Sequence, residues 1–157
     1  MTLTVAFAVD TMLGRLARWL RILGHDAAYG PHLHGAGLTE LARRERRVIV
    51  TRDTQLVRDP NLPPHVFVTS DHFREQLREV AAAIPLAAAE PFSRCLDCNV
   101  ALATIDRAAV RERVPPYVFE TQERFWTCPH CHHVYWPATH HARMRDELAE
   151  LRLGASA

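Results

Sequence analysis

The sequence predicts an α/β fold built on a parallel sheet, followed by a smaller module pinned by cysteines. Three observations carry this. A strand-then-aspartate unit recurs: Val5-Ala6-Phe7-Ala8-Val9 ends in Asp10, Val48-Ile49-Val50 passes through Thr51-Arg52 into Asp53, and Val66-Phe67-Val68-Thr69-Ser70 ends in Asp71. Each unit is followed by a plausible helix, and strands alternating with helices indicate βαβ crossovers. Composition then shifts near residue 85, and two Cys-x-x-Cys pairs follow.

Residues 3–9 read as the first strand. From Met12 to Leu23 the spacing turns helical, with Leu13, Leu16, Ala17, Leu20 and Leu23 on one face. Asp10 or Thr11 is placed to cap that helix and Gly24 to end it, while Arg15, Arg18 and Ile22 lie opposite and Arg21 on the flank. Asp26 to Tyr29 is a short second strand, Gly30 to Gly37 a loop, and Leu38 to Arg44 a second helix with Leu38, Leu41 and Ala42 inward. The unbroken β-branched run Val48-Ile49-Val50 suits a strand buried on both faces. A helical turn around Gln55 to Val57 leads into the loop Asp59–Pro64, whose three prolines cannot continue a helix. After the strand at 66–70, residues 72–83 form an amphipathic helix that buries Phe73, Leu77, Val80 and Ala81. Residues 1–85 are thus expected to be an α/β domain, Pro85–Pro91 a linker, and 91–150 a module with a terminal helix from Arg143 to Leu151.

The chain has 157 residues, enough for one ordinary domain or two small ones. Its net charge of +1 excludes a global pull toward polyanions, so any nucleic-acid site has to be a local basic patch. All 19 basic residues are arginine, a composition that fits a GC-rich bacterial genome and offers planar forks suited to phosphate. No leading segment reads as a signal peptide, and no apolar run is long enough to cross a bilayer. Paired cysteines without an export signal favour a metal over disulfides, and a cytoplasmic location is expected.

Cys95-Leu96-Asp97-Cys98 and Cys128-Pro129-His130-Cys131 each present two thiolates from one tight turn. Two such turns close a tetrahedral structural site, so these four residues are expected to hold zinc in a ribbon. The long insert carries an excursion through Pro115-Pro116-Tyr117, and Phe125-Trp126 and Val134-Tyr135-Trp136 are the flanking strands. With four cysteines there is no open ligand position, so His130, His132, His133, His140 and His141 are read as solvated or partner-facing. His132 stands where such turns commonly carry glycine, which predicts a left-handed residue or a different turn.

Singly, Asp10, Asp53 and Asp71 each read as a helix cap. Together, at one end of successive parallel strands, they read as a rim able to bind Mg²⁺ or Mn²⁺ and to orient a water for attack on a phosphodiester. Arg15, Arg18 and Arg52 can hold phosphates, their alternative being an exposed helix face or ion pairs with the same acids. Trp19 and Trp136 are candidate base-stacking residues, with packing between sheet and ribbon the preferred role for Trp19.

The segments FAVDTMLGRLARWLRILGHD, RRVIVTRD, VTSD followed by EQL, RCLDCN, VPPYVFET, FWTCPHCHHVYW and THHARM cover nearly all of residues 5–146. On them the chain resembles the PIN-like RNase domain named after the carboxyl-terminal region of the Mut-seven exoribonuclease. The resemblance implies a PIN-like three-layer domain followed by a zinc ribbon. It also implies a metal-dependent ribonuclease acting on RNA, with Asp10, Asp53 and Asp71 as metal-binding acids. Where the family often carries acids before the second helix, this chain has His34-Gly35-Ala36-Gly37, and His72 follows Asp71 where a second acid is common. Glu40 stands about a helical turn late for that role. The expected function is an endoribonuclease with catalytic Mg²⁺ or Mn²⁺ and structural zinc. The rivals are a non-catalytic RNA- or ribosome-binding adaptor and, more weakly, a phosphatase or nucleotide-binding module. Against the last, Asp10-Thr11-Met12-Leu13 lacks a second acid and there is no glycine-rich phosphate loop.

Overall fold

Four parallel strands lie in the order β2-β1-β3-β4: β1 (Phe7–Val9), β2 (Ala27–Ala28), β3 (Val48–Thr51) and β4 (His65–Phe67). The computed structural model describes residues 4–86, 89–137 and 139–151, with the side chains of 139–142 outside that description. A 3₁₀ turn at Thr11–Leu13 leads into α1 (Gly14–Ile22), followed by α2 (Gly35–Glu45) and α3 (Phe73–Ala83). Side-chain alternation sorts the sheet residues onto two faces. Phe7, Val9 and Val50 meet Leu16, Leu20 and Leu77 of α1 and α3, whereas Ala8 and Ile49 meet Leu38 and Ala42 of α2. The sheet is covered on both sides, which is why its strands read as unbroken apolar runs.

Several boundaries differ from the sequence reading for identifiable reasons. The helix expected from Leu38 begins at Gly35, inside the expected loop. A Cβ on Gly37 would sit 2.7 Å from the His32 carbonyl oxygen, so this glycine permits a close backbone approach rather than breaking a helix. β4 stops at Phe67 because the N–H groups of Thr69 and Ser70 turn to the Glu79 carboxylate on α3. Trp19 is buried, but it stacks on Phe73 at 5.3 Å, between α1 and α3 rather than between sheet and ribbon. Ile22 and Arg21, expected outside, are also buried, because α1 is covered on a second side.

That cover is the cysteine module. Its antiparallel sheet comprises β5 (Ala103–Ile105), β6 (Phe125–Thr127) and β7 (Val134–Tyr135). Two strands were expected here; β5 adds a third. The proline excursion folds into α4 (Pro116–Thr121), with Pro116 in its first turn, and Val110, Val114 and Val118 pack on Phe125 and Val134. A last helix, α5 (Thr139–Leu151), starts before the expected Arg143 and returns Leu151 to the α1–α3 core. The side chains of His140 and His141 lie outside the described residues.

The module closes the open edge of the parallel sheet. The Ala27 N–H donates to Asn99 Oδ1 at 2.9 Å, and the Ala27 carbonyl accepts from Arg21 Nε at 3.0 Å. Arg21 also donates to the Leu96 carbonyl at 2.7 Å, joining α1, β2 and the first Cys-x-x-Cys turn through one guanidinium. Unpaired edge groups invite pairing with other chains, and here they are taken internally. Gly24, at φ +94°, lies so close to the linker that a Cβ would come within 2.1 Å of the Glu90 carbonyl oxygen.

Asp26 anchors the same seam, accepting from Arg47 and from Asn99 Nδ2, each at 2.6 Å. Partial burial pushes its carboxyl upward, but hydrogen bonds from Arg47 and Asn99 and the Arg47 charge outweigh that and hold it below the usual range. A depressed folded value means that its stabilisation is complete above about pH 4 and is lost as the pH falls through the lowered value. Asp26→Ala is expected to cost about 1–2 kcal/mol at pH 7, a figure discounted because the carboxylate is 37% exposed. Urea unfolding of parent and variant should show that gap closing as the medium is acidified; a gap that stays constant however far the pH is lowered removes the ion pair as its source.

Candidate functional site

With the order β2-β1-β3-β4, the chain leaves β1 toward one edge and β3 toward the other, so the topological switch lies between β1 and β3. In open α/β sheets the crevice beyond the carboxyl ends at that switch is the binding position. Asp10 and Asp53 stand there. The register pairs Val9 with Val50, and the Asp10 N–H donates to the Val50 carbonyl at 2.9 Å. Thr51, the last residue of β3, then links the two acids. Its hydroxyl donates to Asp10 Oδ2 at 2.7 Å and accepts from the Asp53 N–H at 3.0 Å.

Asp10 is fully buried, and its Oδ1 has no hydrogen-bond partner among the described residues. A buried polar atom without a partner is costly, and a water or ion is the ordinary explanation. The cap reading fails for this residue: it precedes the Thr11–Leu13 turn but makes no side-chain cap bond. For Asp53 it holds in part, since Oδ1 accepts from the N–H groups of Gln55 and Leu56 at 2.9 and 3.3 Å. Asp71 is exposed, and α3 is capped instead by His72, whose Nδ1 accepts from the Arg74 N–H.

The loop carrying Asp71 is gripped from three sides. Glu79 accepts from the N–H groups of Thr69 and Ser70 and from the Thr69 hydroxyl, Gln76 donates to the Ser70 carbonyl at 2.8 Å, and Arg52 donates to the Thr69 carbonyl at 3.3 Å. Slight burial pushes the Glu79 carboxyl upward, but these hydrogen bonds, with the Arg52 charge, hold it below its ordinary value. Neither Thr51 nor Glu79 stood out in the sequence. Thr51 had a local signal, a hydroxyl at the end of a buried strand two residues before an acid; Glu79 had none.

Among the described residues, the four cysteines are the one group of three or more His, Cys, Asp or Glu side chains whose ligand atoms all lie within 4.8 Å of one another. The three rim aspartates therefore share an edge without meeting at that distance. Arg15 lies with its guanidinium 4.0 Å above the Phe73 ring, beside the start of α3. Arg18, one turn along α1, borders instead a groove against the cysteine module, and Trp136 lines the same groove while meeting Phe125 edge-on at 6.5 Å. Glu40 opens onto a separate shallow groove with Arg43, Arg44 and Asp59.

At the cysteine site, a tetrahedral ion with metal–sulfur bonds of about 2.3 Å needs sulfurs about 3.8 Å apart. Cys95 and Cys131 are separated by 3.8 Å. The two turns repeat one pattern: Asn99 and His132 adopt φ of 63° and 64°, and their N–H groups return to the carbonyls of Cys95 and Cys128. His132 is thus a left-handed residue in the usual glycine position, and among the described residues no histidine enters the cluster. Burial pushes the Cys128 thiol up, but N–H groups of Cys131 and His130 outweigh it and hold it at about 7. Cys98 is pushed up to about 12 by burial and by its neighbouring cysteines. The donor set, soft and closed, fits Zn²⁺ in a structural role.

A family model described as the Mut7-C RNAse domain matches residues 5–148. No curated protein and no solved structure matches the chain. Among the described residues, no helix is long and apolar enough to cross a membrane.

Because Asn99 and Leu96 of the first cysteine turn hold the sheet edge, metal removal should reach beyond the module. Structural sites of this kind contribute about 10–16 kcal/mol in isolated fingers. Loss of even about 5 kcal/mol here lowers the melting temperature by about 10–20 °C. Chelation followed by hydrogen exchange should show the Ala27 amide losing protection together with β6 and β7. Retained protection at Ala27 would mean that the metal braces the ribbon alone.

Proposed function

Because the chain belongs to the Mut7-C RNAse domain family, we propose that it is a metal-dependent endoribonuclease working at the acidic rim between β1 and β3. The observation that carries this reading is the buried Asp10 carboxylate, held through one oxygen by Thr51 and open at the other. Asp10 through its open Oδ1, Asp53 through the oxygen not used in its turn, and Asp71 from its exposed loop would together hold Mg²⁺ or Mn²⁺. Such ions are commonly bound by one or two carboxylates and several waters, which suits acids spread along an edge. When bound, the ion supplies the Lewis acidity for water attack on the phosphodiester and offsets phosphate charge against the carboxylates.

The remaining groups position the substrate. Arg52 bridges the rim to the Asp71 loop, and Arg15 projects a fork beside it; both offer paired N–H donors to phosphate oxygens. Thr51 keeps Asp10 Oδ2 occupied, so that Oδ1 is the oxygen presented. That the three acids do not gather into a metal-sized group among the described residues favours a second reading, an RNA- or ribosome-binding adaptor without catalysis.

Substitutions separate the two. Outer partners of metal ligands are worth about 10–100-fold, so Asp10→Asn and Asp53→Asn are each expected to lower Mn²⁺-dependent RNA cleavage by more than that, with the melting temperature within a few degrees of the parent. Mn²⁺ should raise the parent's melting temperature and not that of Asp53→Asn. Cleavage at the parental rate in both variants would overturn the assignment; RNA binding with no metal effect in the parent would favour the adaptor.

A further inference from the structure

We propose that the groove between α1 and the cysteine module is a binding site for a single-stranded RNA segment, which leaves it along α1 toward the acidic rim. The proposal rests on the ribonuclease reading for its substrate class but places recognition away from the carboxylates. The groove measures about 870 Å³, and among the described residues Arg18, Arg94, Arg124 and Arg145 border it against the one acid Glu90. In a chain whose net charge is +1, this is the kind of local basic patch that a polyanion requires.

Most of that charge is uncommitted. Arg94 is spent on the carbonyls of Gly24 and Asn99, but Arg18, Arg124 and Arg145 form no ion pair among the described residues. The Arg124 guanidinium lies 5.4 Å from the Trp126 ring and that of Arg145 lies 5.0 Å from Phe92. Stacked guanidiniums keep their N–H edges available for phosphate.

The floor is aromatic. Trp126 and Tyr135 are register partners on adjacent strands, with Trp136 next in the chain, and all three line the groove. Tyr135 is fixed in place, its hydroxyl 3.2 Å from Cys95 Sγ and accepting from the Leu96 N–H at 3.3 Å. Rigid aromatic faces stack on unpaired bases whatever their sequence. Paired bases in an A-form helix hide those faces, and such helices are met by shape across the minor groove. A concave site of this volume, within the range of about 300–1,000 Å³ for small-ligand pockets, takes a few splayed bases. Arg18 and Arg15 are one turn apart, about 4.5 Å along the helix, so the arginine line of α1 joins the groove to Phe73 and the rim.

The test uses the 157-residue chain with zinc at the four cysteines and carrying Asp10→Asn, so that binding is read without cleavage. Anisotropy of a labelled ten-nucleotide single-stranded RNA and of the same sequence as duplex is followed across a salt series. The single strand is expected to bind at least tenfold tighter than the duplex. Arg124→Gln with Arg145→Gln should weaken it at least tenfold and reduce the salt slope by about 1.4, the value for two lost phosphate contacts on a single strand. Trp136→Leu should weaken binding with the slope unchanged, circular dichroism confirming the fold. Equal affinity for duplex, or groove variants that bind as the parent does, overturns the groove. Either result leaves the rim to be judged on the cleavage of the otherwise wild-type protein.

Discussion

The parallel pairing of β1 with β3 is the constraint from which the rest follows. Its register, Val9 opposite Val50, fixes Asp10 beside Thr51 and makes the two central strands neighbours although some forty residues of chain separate them. Right-handed crossovers then send α1 and α2 to opposite faces of the sheet. Each face gains a core, Phe7 and Val9 on one side and Ala8 and Ile49 on the other. A slip of one residue would exchange those faces and move the Asp10 carboxylate away from the Thr51 hydroxyl. Fold and rim are specified by one hydrogen-bond ladder.

The second sheet matters to the first through β2, the weakest strand. Two residues paired on one side only form a poor edge, and β2 would fray if left to itself. Asn99 and Arg21 complete its hydrogen bonding, and both are set by the first cysteine turn, Asn99 by its left-handed backbone and Arg21 by the Leu96 carbonyl. The metal module thus does for the α/β layer what another strand would do elsewhere. The same docking leaves α1 with two working faces, one in the core and one along the basic groove.

What could be read from the sequence was what is written in neighbouring residues. Apolar runs placed β1 and β3 and the acids beyond them, helical spacing gave α1 and α3, and Cys-x-x-Cys gave the metal turns, whereas β4 ends at Phe67, short of the strand expected at 66–70. What escaped depends on partners far away in the chain. Asn99 and Arg21 are polar residues of no local distinction until β2 and the cysteine turn are brought together across more than seventy positions. Glu79 gains its role only when α3 folds back over Thr69. Gly35 and Gly37 read as loop because the close approach of His32, which is what calls for a glycine at 37, is not visible in one dimension.

The three aspartates illustrate how one motif can be held in three ways. Asp10 is sealed in the sheet with an oxygen unmet, Asp53 spends an oxygen on its own turn, and Asp71 stands in solvent on a clamped loop. A buried carboxylate oxygen without a partner lowers stability, by about 1–3 kcal/mol for an unsatisfied group, so a sequence shaped for stability alone would place an apolar residue there. Thr51 restricts the cost to one oxygen while fixing which one it is. That combination, a penalty confined to a single atom at the switch point of the sheet, is what distinguishes the rim from a row of helix caps.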